Sequence, residues 1–421
     1  MAGDAVELVP ELFSARRISG WIPRGADIAN GGALRPAEIR EAGETDRARA
    51  ARPGRSEAVK VLLVDLETAW RGGQNQALLI LNGLLAHGHE AELVAARGSA
   101  LGERAEENGV RVHFVSRGLF RMPAAWKVRE LVRTGGFHLV HANEAHAVSA
   151  VWLAGAHKRI PFLISRRVGY PIGKSRASRA RYESATRIIA NSKWVAVQAA
   201  SSGAPREKLT VVYEGAEIPP LFTDEQRRAA RARWGISGEA APLLGCVGVL
   251  LPDKGQEWLI RVLAELRKEF PGAKLLLAGN GPCGAKLESL AQELGLGDGV
   301  LFPGFVKDVE SVYAALDVFL LPSFYEALNN SLLAAMAYEI PSIAFNKGAL
   351  GEIIENEKSG LLVSGPDVAE ICDALKRILQ NPEFATSIGK EGRKRVGQNF
   401  SADHMVDGMI RVYEEAIRHG V

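Results

Sequence analysis

The stretch that decides the fold is PSFYEALNNSLLAAMAYEIPSIAFNKGALGEII, residues Pro322–Ile354. It predicts a strand end, a short loop with a lone carboxylate at Glu326, a helix over Ser331–Tyr338, a buried strand and a Gly-flanked turn before Glu352. The loop Ala327–Asn330 leads directly into the helix, so its backbone N–H groups lie at a helix N-terminus. Such a terminus favours an anion, for example a pyrophosphate. A carboxylate beside that site can accept hydrogen bonds from sugar hydroxyls, so the pairing suits a nucleotide sugar.

Apolar runs alternate with helical patterns on both sides of this stretch. Such alternation predicts parallel sheets covered by helices on both faces, which is the α/β class. The predicted strands are Val59–Val64, Ala91–Ala95, Val112–Val115, Leu139–Ala142, Phe162–Ser165, Arg187–Ala190, Leu209–Val212, Leu243–Val247, Lys274–Ala278, Val300–Phe302, Val318–Leu321 and Pro341–Phe345. The helix that follows the first strand is predicted over Asn75–His87, and the last helix of the chain is predicted over Ala402–His419.

A length of 421 residues predicts two domains. Residues 1–58 are polar, lack a sustained apolar period and are expected to be a mobile N-terminal extension. Residues 59–220 predict a first Rossmann-like domain and residues 221–401 a second one, with residues 402–421 as a C-terminal helix. The segment Pro219–Pro242 is expected to connect the two domains.

Bulk composition excludes several classes of protein. A formal net charge of +3 gives no argument for nucleic-acid binding. The three cysteines show neither metal spacing nor a disulfide framework, which favours a reducing cytoplasm. No apolar run reaches about 18 residues, the length expected of a spanning helix.

Three loops of the second half carry candidate ligand contacts. Gly248 follows a strand and lets the backbone approach a ligand, and Lys254 shortly after it would supply a point charge for a phosphate. Gly279 and Gly281 form a strand-end turn, and Phe305 begins the next such loop. A tight turn and a nucleotide contact are both open interpretations for these last two loops.

The first half offers weaker signals. Gly72 and Gly73 follow the first strand, where paired glycines suit the close approach of an acceptor or a phosphate. The stretch from His141 to His146 begins at the end of a strand, where ligands bind in parallel sheets. A hydrogen-bonded core histidine is the more frequent occupant of such a position, so both interpretations stay open. The basic run Lys174–Arg181 is expected to be a solvated loop, with attraction of an anionic acceptor as the alternative.

Taken together, these motifs resemble the retaining GT-B glycosyltransferases of family four, the glycosyl transferases group 1. The family signature has two Glu separated by seven residues, followed by Ala-Met-Ala. Glu326 fills the first position, whereas Ala334 stands at the second, so the two-Glu signature is degenerate. The family also places an Arg just after the first Gly, where this chain has Val249.

The resemblance implies a GT-B fold, two Rossmann-like domains facing across a cleft, with the final helix crossing back to the first domain. It implies transfer of a sugar from a nucleotide-diphosphate sugar, UDP or GDP, to an acceptor hydroxyl with retention of configuration. No separate cofactor and no metal are expected. The implied catalytic residues are Glu326, Lys254 and His146. The implied donor-binding residues are Gly248, Lys254, Gly279, Gly281, Phe305, Glu326, Leu328, Asn329, Asn330, Ser331 and Glu352, and the acceptor side takes Gly72, Gly73, Asn143 and Arg167.

The implied partners are a nucleotide sugar and a glycan or lipid-linked acceptor, as in polysaccharide or lipopolysaccharide biosynthesis. The expected location is the cytoplasm, with peripheral contact at the inner membrane face as an option and no nucleic-acid partner. The changes at Ala334 and Val249 keep an alternative open, a GT-B protein without transfer activity that acts as a binding or scaffold subunit. A GT-B epimerase or phosphorylase is a third interpretation, but the epimerase lacks an identifiable set of catalytic carboxylates.

Overall fold

The computed structural model describes residues 41–42, 58–116, 121–236 and 241–420. Its first sheet has seven strands, all paired in parallel, in the spatial order β3-β2-β1-β4-β5-β6-β7. Val61 to Val64 are fully buried, as expected of a strand covered on both faces. The strands are β1 (Lys60–Asp65), β2 (Glu90–Ala96), β3 (Arg111–Val115), β4 (Leu139–Ala142), β5 (Phe162–Arg166), β6 (Arg187–Ala190) and β7 (Leu209–Val211).

The second sheet has six parallel strands in the order β10-β9-β8-β11-β12-β13. They are β8 (Leu243–Val247), β9 (Lys274–Ala278), β10 (Val300–Gly304), β11 (Val318–Leu321), β12 (Ser342–Phe345) and β13 (Leu361–Val363). The predicted α/β class is therefore confirmed. The sequence patterns missed β13, because a strand of three residues is too short to show a period.

Helices cover both sheets. Those connecting the strands of the first sheet are α1 (Gly72–Ala86), α2 (Ala100–Glu107), α3 (Met122–Thr134), α4 (Ala145–Leu153), α5 (Arg176–Glu183) and α6 (Lys193–Ser201). The remaining helices are α7 (Asp224–Arg233), α8 (Gln256–Leu266), α9 (Gly284–Glu293), α10 (Glu310–Ala315), α11 (Asn330–Ala337), α12 (Leu350–Ile353), α13 (Val368–Leu379), α14 (Pro382–Asn399) and α15 (Ala402–His419).

Two predicted segments differ from the structure. Helix α1 begins at Gly72, three residues before the predicted start, because the paired glycines form its first turn instead of a separate loop. The charged run inside the expected connection Pro219–Pro242 is helix α7, which starts with a capping box at Thr223. Its Arg231 donates to Asp317 at 2.8 Å, so this helix is part of the second sheet's cover. The predicted extension, residues 1–58, lies outside the described residues except for positions 41, 42 and 58.

The chain crosses twice between the two sheets, and the crossings run side by side. Ala216, after β7, donates its N–H to the carbonyl of Phe400 at 2.8 Å, and Ala402 donates to the carbonyl of Ala216 at 2.9 Å. Helix α15 then packs on the first sheet, where the side chain of Val406 fills the space that a Cβ on Gly83 would occupy.

The strand order identifies the segments that border the switch point of each sheet. It reverses between β1 and β4 in the first sheet and between β8 and β11 in the second. Parallel sheets bind ligands outside the carboxyl ends of their strands at such switch points. The segments that follow β1, β4, β8 and β11 carry Gly72 and Gly73, Asn143, Lys254 and Glu326 respectively, with the two glycines in the first turn of α1.

Candidate active site

Two side chains of opposite charge meet at the switch point of the second sheet. Lys254 lies in the loop after β8 and places its Nζ 2.7 Å from Oε1 of Glu326, which follows β11. The Lys254 side chain keeps 24% of its surface exposed, compared with 7% for Glu326. Burial alone would lower the pKa of Lys254, but the adjacent carboxylate outweighs burial and the pKa is raised. The ammonium group therefore stays charged at the edge of the cleft, above a shielded carboxylate.

Backbone packing fixes the relative position of these two loops. Gly255 has a φ of 68°, and a Cβ there would lie 2.2 Å from the carbonyl oxygen of Pro322. A residue with a side chain cannot combine that conformation with so close an approach. Phe324 also donates its N–H to the carbonyl of Asp253 at 2.9 Å. The loop that carries the lysine is thus attached to the loop that carries the carboxylate.

The start of α11 is capped by a side chain that also reaches the carboxylate. Asn329 accepts the N–H of Leu332 through Oδ1 at 2.8 Å and donates from Nδ2 to Glu326 at 3.0 Å. Within the described residues, the backbone N–H groups of Asn330 and Ser331 donate to no protein acceptor. The first turn of α11 consequently keeps donors and the positive end of its dipole for an anion.

The side chain of Asn330 contacts the first domain. Its Oδ1 accepts a hydrogen bond from Nε2 of Gln76 at 3.2 Å, and the same amide of Gln76 binds the backbone of Gly215 in both directions. A Cβ on Gly72 would lie 2.7 Å from Nδ2 of Asn330. Gly72 therefore admits the side chain of Asn330 from the other domain, which the sequence patterns did not indicate.

Two glycines of the second domain, Gly279 and Gly281, allow two loops to lie in close contact. Gly279 has a φ of 144°, and a Cβ there would lie 1.9 Å from the carbonyl oxygen of Gly248. A Cβ on Gly281 would lie 2.3 Å from the carbonyl oxygen of Leu250. The tight-turn interpretation accounts for both positions. Gly248 itself has open space where a Cβ would point, so the approach of a ligand is unobstructed there.

Two further predicted donor residues have opposite environments. The side chain of Phe305 is 76% exposed at the end of β10. Leu328 is buried and belongs to the apolar cluster beneath α11. Phe305 is thus available to a ligand, whereas Leu328 contributes packing.

Three predicted acceptor residues come together in the first domain. Arg167 forms an ion pair with Glu214 at 3.0 Å and donates to the carbonyl and the side-chain oxygen of Asn143 at 2.9 and 2.6 Å. Asn143 donates in turn to Asp65 at 2.6 Å and to the carbonyl of Gly73 at 3.2 Å. Burial raises the pKa of Asp65 and of Glu214, while their polar partners act in the opposite direction. These side chains bind one another and fix the floor of the cleft.

His141 is a core residue. Its Nδ1 lies 2.7 Å from the hydroxyl of Tyr413 on α15, and its Nε2 lies 2.8 Å from the hydroxyl of Ser165. Burial lowers the pKa of His141 to about 3, so the ring is neutral at physiological pH. The histidine therefore joins the last helix to the first sheet.

His146 lies at the start of α4 and keeps 47% of its side chain exposed. The guanidinium of Arg121 contacts its Nδ1, and burial together with this charge lowers the pKa of His146. Glu67, Glu144 and His146 place one ligand atom each within 4.8 Å of one another. Burial raises the pKa of Glu144 to about 7, and its carboxylate accepts backbone N–H groups at the start of α4. The prediction that the protein needs no metal is not tested by this arrangement.

Glu352 was predicted to face the donor, but its carboxylate is bound to the first domain. It accepts the backbone N–H groups of Lys193 and Trp194, both at 2.8 Å, and the hydroxyl of Tyr213 at 2.9 Å. The two N–H groups open helix α6 and have no acceptor within their own helix. Glu352 thus links the domains, and burial raises the pKa of its carboxyl.

Several residues with a role in the cleft were missed by the sequence patterns. Gln76 carried a usable signal, because a polar side chain on the buried face of an apolar helix needs a partner. No sequence pattern indicated Glu214, Tyr213 or Tyr170. Each lies in an irregular segment, and its neighbours are known only from the folded chain.

Comparison with known sequences gives two family matches. Residues 227–395 match the family described as "Glycosyl transferases group 1", and residues 70–218 match "Glycosyltransferase Family 4". The first range covers all six strands of the second sheet, and the second range covers every strand of the first sheet except β1. The two ranges together span residues 70–395 apart from 219–226, so most of the chain is similar to these two glycosyltransferase families.

Relatives of this chain are named for different substrates. The 2-deoxystreptamine glucosyltransferase of Streptomyces kanamyceticus is 29% identical over 228 residues, which cover 52% of this chain and 58% of that protein. A GDP-mannose-dependent alpha-(1-6)-phosphatidylinositol monomannoside mannosyltransferase of Mycolicibacterium smegmatis is 27% identical over 346 residues, covering 77% and 90%.

Solved structures confirm the GT-B fold of this chain. Anabaena HepE in complex with UDP and glucose superposes with a TM-score of 0.74 at 20% identity, covering 85% of this chain and 99% of that one. A glycosyltransferase from Rickettsia africae gives a TM-score of 0.75 at 18% identity, covering 86% and 100%.

Proposed function

We propose that the protein transfers a sugar from a nucleoside-diphosphate sugar to an acceptor hydroxyl with retention of configuration at the anomeric carbon. The observation that carries the proposal is the Lys254–Glu326 pair, which lies at the second sheet's switch point beside the open first turn of α11. In the reaction the acceptor oxygen forms a bond to the anomeric carbon, and the bond from that carbon to the diphosphate breaks. The departing diphosphate takes the electron pair and the acceptor proton.

The two parts of this site have separate roles. The ammonium of Lys254 and the N–H groups of Asn330 and Ser331 stabilise the negative charge that develops on the departing diphosphate. Only Oε1 of Glu326 receives protein hydrogen bonds among the described residues, which leaves Oε2 for the hydroxyls of the donor sugar. Closure of the domains over the bound donor would exclude water and suppress hydrolysis.

The nucleotide is proposed to be UDP or GDP. Support comes from the relatives, one of which is named for GDP-mannose, and from a HepE structure in complex with UDP-glucose. Ala334 has no polar group to offer the nucleoside, and Val249 has no charge to offer the phosphates, so Lys254 carries more of the phosphate contact. Diphosphate and sugar contacts therefore carry most of the donor affinity in this proposal.

The acceptor is proposed to be a glycan or a lipid-linked glycan. The mycobacterial relative is named for a phosphatidylinositol mannoside, and α5 with the preceding loop exposes Lys174, Arg176 and Arg179 in the first domain. Such a basic surface suits an anionic acceptor or the surface of a membrane. Across the described ranges, no helix combines the length and the apolar character needed to cross a bilayer.

A thermal-shift titration with UDP, GDP, UDP-glucose and GDP-mannose tests the donor site, because a ligand that binds only the folded state stabilises it by mass action. We expect one nucleotide series to raise the melting temperature in a saturable manner. NMR of the product from the matching donor then reports the anomer, and an inverted anomer would contradict retention. Stabilisation without turnover would favour the scaffold interpretation, and no stabilisation by any of the four compounds would overturn the donor site.

A further inference from the structure

Three aromatic rings from the two domains meet beside the proposed donor site. Tyr170 follows β5 in the first domain, and Tyr325 directly precedes Glu326 in the second. The two tyrosine rings stack with their centroids 5.1 Å apart and their planes 15° from parallel. Trp194, at the start of α6, and Tyr325 form a T-shaped contact with a centroid distance of 4.9 Å. We call these three residues the aromatic bridge.

The loop that carries Tyr170 is held in one position. The buried guanidinium of Arg166 donates to the carbonyl of Tyr170 and to the hydroxyl of Tyr182. A Cβ on Gly169 would lie 2.3 Å from the ring of Trp194, so only glycine allows the chain to pass so close. The position of the Tyr170 ring is therefore fixed before any ligand binds, which reduces the entropy lost on binding.

One face of Tyr170 remains open. The residue is 54% exposed although its ring stacks on Tyr325, so the stack covers one face and leaves the other accessible. Burial, followed by the charge of Asp253, raises the pKa of the Tyr170 hydroxyl, while Lys254 acts in the opposite direction. Tyr325, on which this ring stacks, directly precedes Glu326, so the open ring lies beside the Lys254–Glu326 pair.

We propose that Tyr170 is the stacking residue of an acceptor subsite, which binds the apolar face of a cyclic polyol such as a pyranose or a cyclitol. An aromatic face bordered by a few fixed polar groups matches a ring that has apolar C–H faces and hydroxyls around its edge. A hydrocarbon chain does not fit this position, because it would desolvate Asp253, Lys254 and Glu326 without offering them hydrogen bonds. The inference rests on the proposed transfer reaction and names the chemical class of its acceptor.

The subsite can be tested with the full chain by comparing two reactions. Transfer needs the acceptor, whereas hydrolysis of the donor by water does not. The probes are the donor sugar selected by thermal shift, together with methyl α-glucopyranoside, methyl α-mannopyranoside and myo-inositol as acceptors. Tyr170→Ala is expected to raise the acceptor KM about ten-fold, the effect of losing one aromatic contact. Tyr170→Phe and Tyr170→Trp keep an aromatic face and are expected to retain the wild-type acceptor KM within about two-fold. In all three variants, donor affinity and donor hydrolysis are expected to change less than the acceptor KM of Tyr170→Ala, because the ring contacts the acceptor in this proposal.

Trp126→Ala is the matched control, since this α3 side chain is 71% exposed and lies outside the cleft residues described above. The subsite is overturned if Tyr170→Ala leaves the acceptor KM unchanged, or if it alters donor hydrolysis as strongly as transfer, as a purely interdomain packing role predicts. It is also overturned if the wild type hydrolyses the donor but transfers to none of the ring compounds. Failure of the proposed function is a different result, a wild-type protein that neither binds nor hydrolyses any donor.

Discussion

Each domain places a cation–carboxylate pair at a strand end, and the two pairs differ in how completely they are satisfied. Arg167 and Glu214 are shielded, and the arginine also donates twice to Asn143. Lys254 and Glu326 form a single contact of 2.7 Å, with the lysine partly exposed. We call the Arg167–Glu214 pair saturated, because it is shielded from solvent and also bound to Asn143, and we call the Lys254–Glu326 pair unsaturated, because its lysine is partly exposed. A saturated pair holds a framework, whereas an unsaturated pair can exchange partners for a ligand.

The largest effect is expected at the unsaturated pair. Lys254→Ala should lower kcat/KM for transfer about 10³-fold, because it removes the charge that stabilises the departing diphosphate. Steady-state kinetics measure this loss, and circular dichroism checks that the fold is retained. Lys268→Ala is the control, since its Nζ lies 2.7 Å from Glu265 in an exposed pair. Turnover at the wild-type rate in Lys254→Ala would contradict the assigned role.

Substitutions in the saturated Arg167–Glu214 pair should lower the stability of the protein. Arg167→Ala leaves Glu214 buried without its counter-ion, and we expect the free energy of unfolding to fall by about 3 kcal/mol. Urea denaturation measures the change. The double variant Arg167→Ala/Glu214→Gln removes the uncompensated charge and should recover part of the loss. A double variant as unstable as the single one would show that the pair does not act as a unit.

The framework beside this pair also predicts a pH dependence. The unfolded chain protonates His141 near its ordinary pKa of 6.5, whereas the folded protein resists protonation down to about 3. Stability from His141 is complete above pH 6.5 and is lost as the pH falls, by about 2 kcal/mol between pH 6.5 and pH 5. Urea denaturation at the two pH values should show a smaller loss for His141→Asn. An equal loss in both proteins would refute the assignment.

A smaller effect is expected at Glu352, and it distinguishes a donor-binding role from a role in the contact between the domains. Glu352→Gln should lower the free energy of unfolding by about 1 kcal/mol, because an amide has one acceptor oxygen for the three donors around Glu352. Donor affinity, measured by calorimetry, should stay within about two-fold of the wild type, as the side chain is bound to α6. A large loss of donor affinity with unchanged stability would restore the original donor-binding prediction.

The smallest effect is expected where the family signature is incomplete. Ala334→Glu adds a carboxylate in the second turn of α11. We expect the donor to bind about three-fold more tightly if this group reaches a ribose hydroxyl. Calorimetry with the donor is the measurement, and Ala334→Gln separates the effect of charge from that of size. Unchanged affinity in both variants would place Ala334 away from the ribose.

Much of the fold followed from local patterns. Strands such as Leu139–Ala142 and Lys274–Ala278 were predicted at their observed bounds, because a buried parallel strand is a short apolar run between turn residues. The closeness of Lys254 and Glu326 could be expected as well, since both follow strands that border a switch point. The partners of Asn330 and Glu352 could not, because each binds a residue of the other domain.

The sequence by itself determined the α/β class, the two-sheet organisation and the carboxyl-end loops that carry the charged residues, since periodicity and turn residues are local properties of the chain. Only the tertiary structure decided which side chains remain available to a ligand. Gly72 leaves space for the side chain of Asn330, and Glu352 accepts the backbone N–H groups at the start of α6. Tyr170 stacks one face of its ring on Tyr325 and leaves the other face accessible. These outcomes depend on contacts between segments far apart in the chain, and on which hydrogen bonds those contacts have already used.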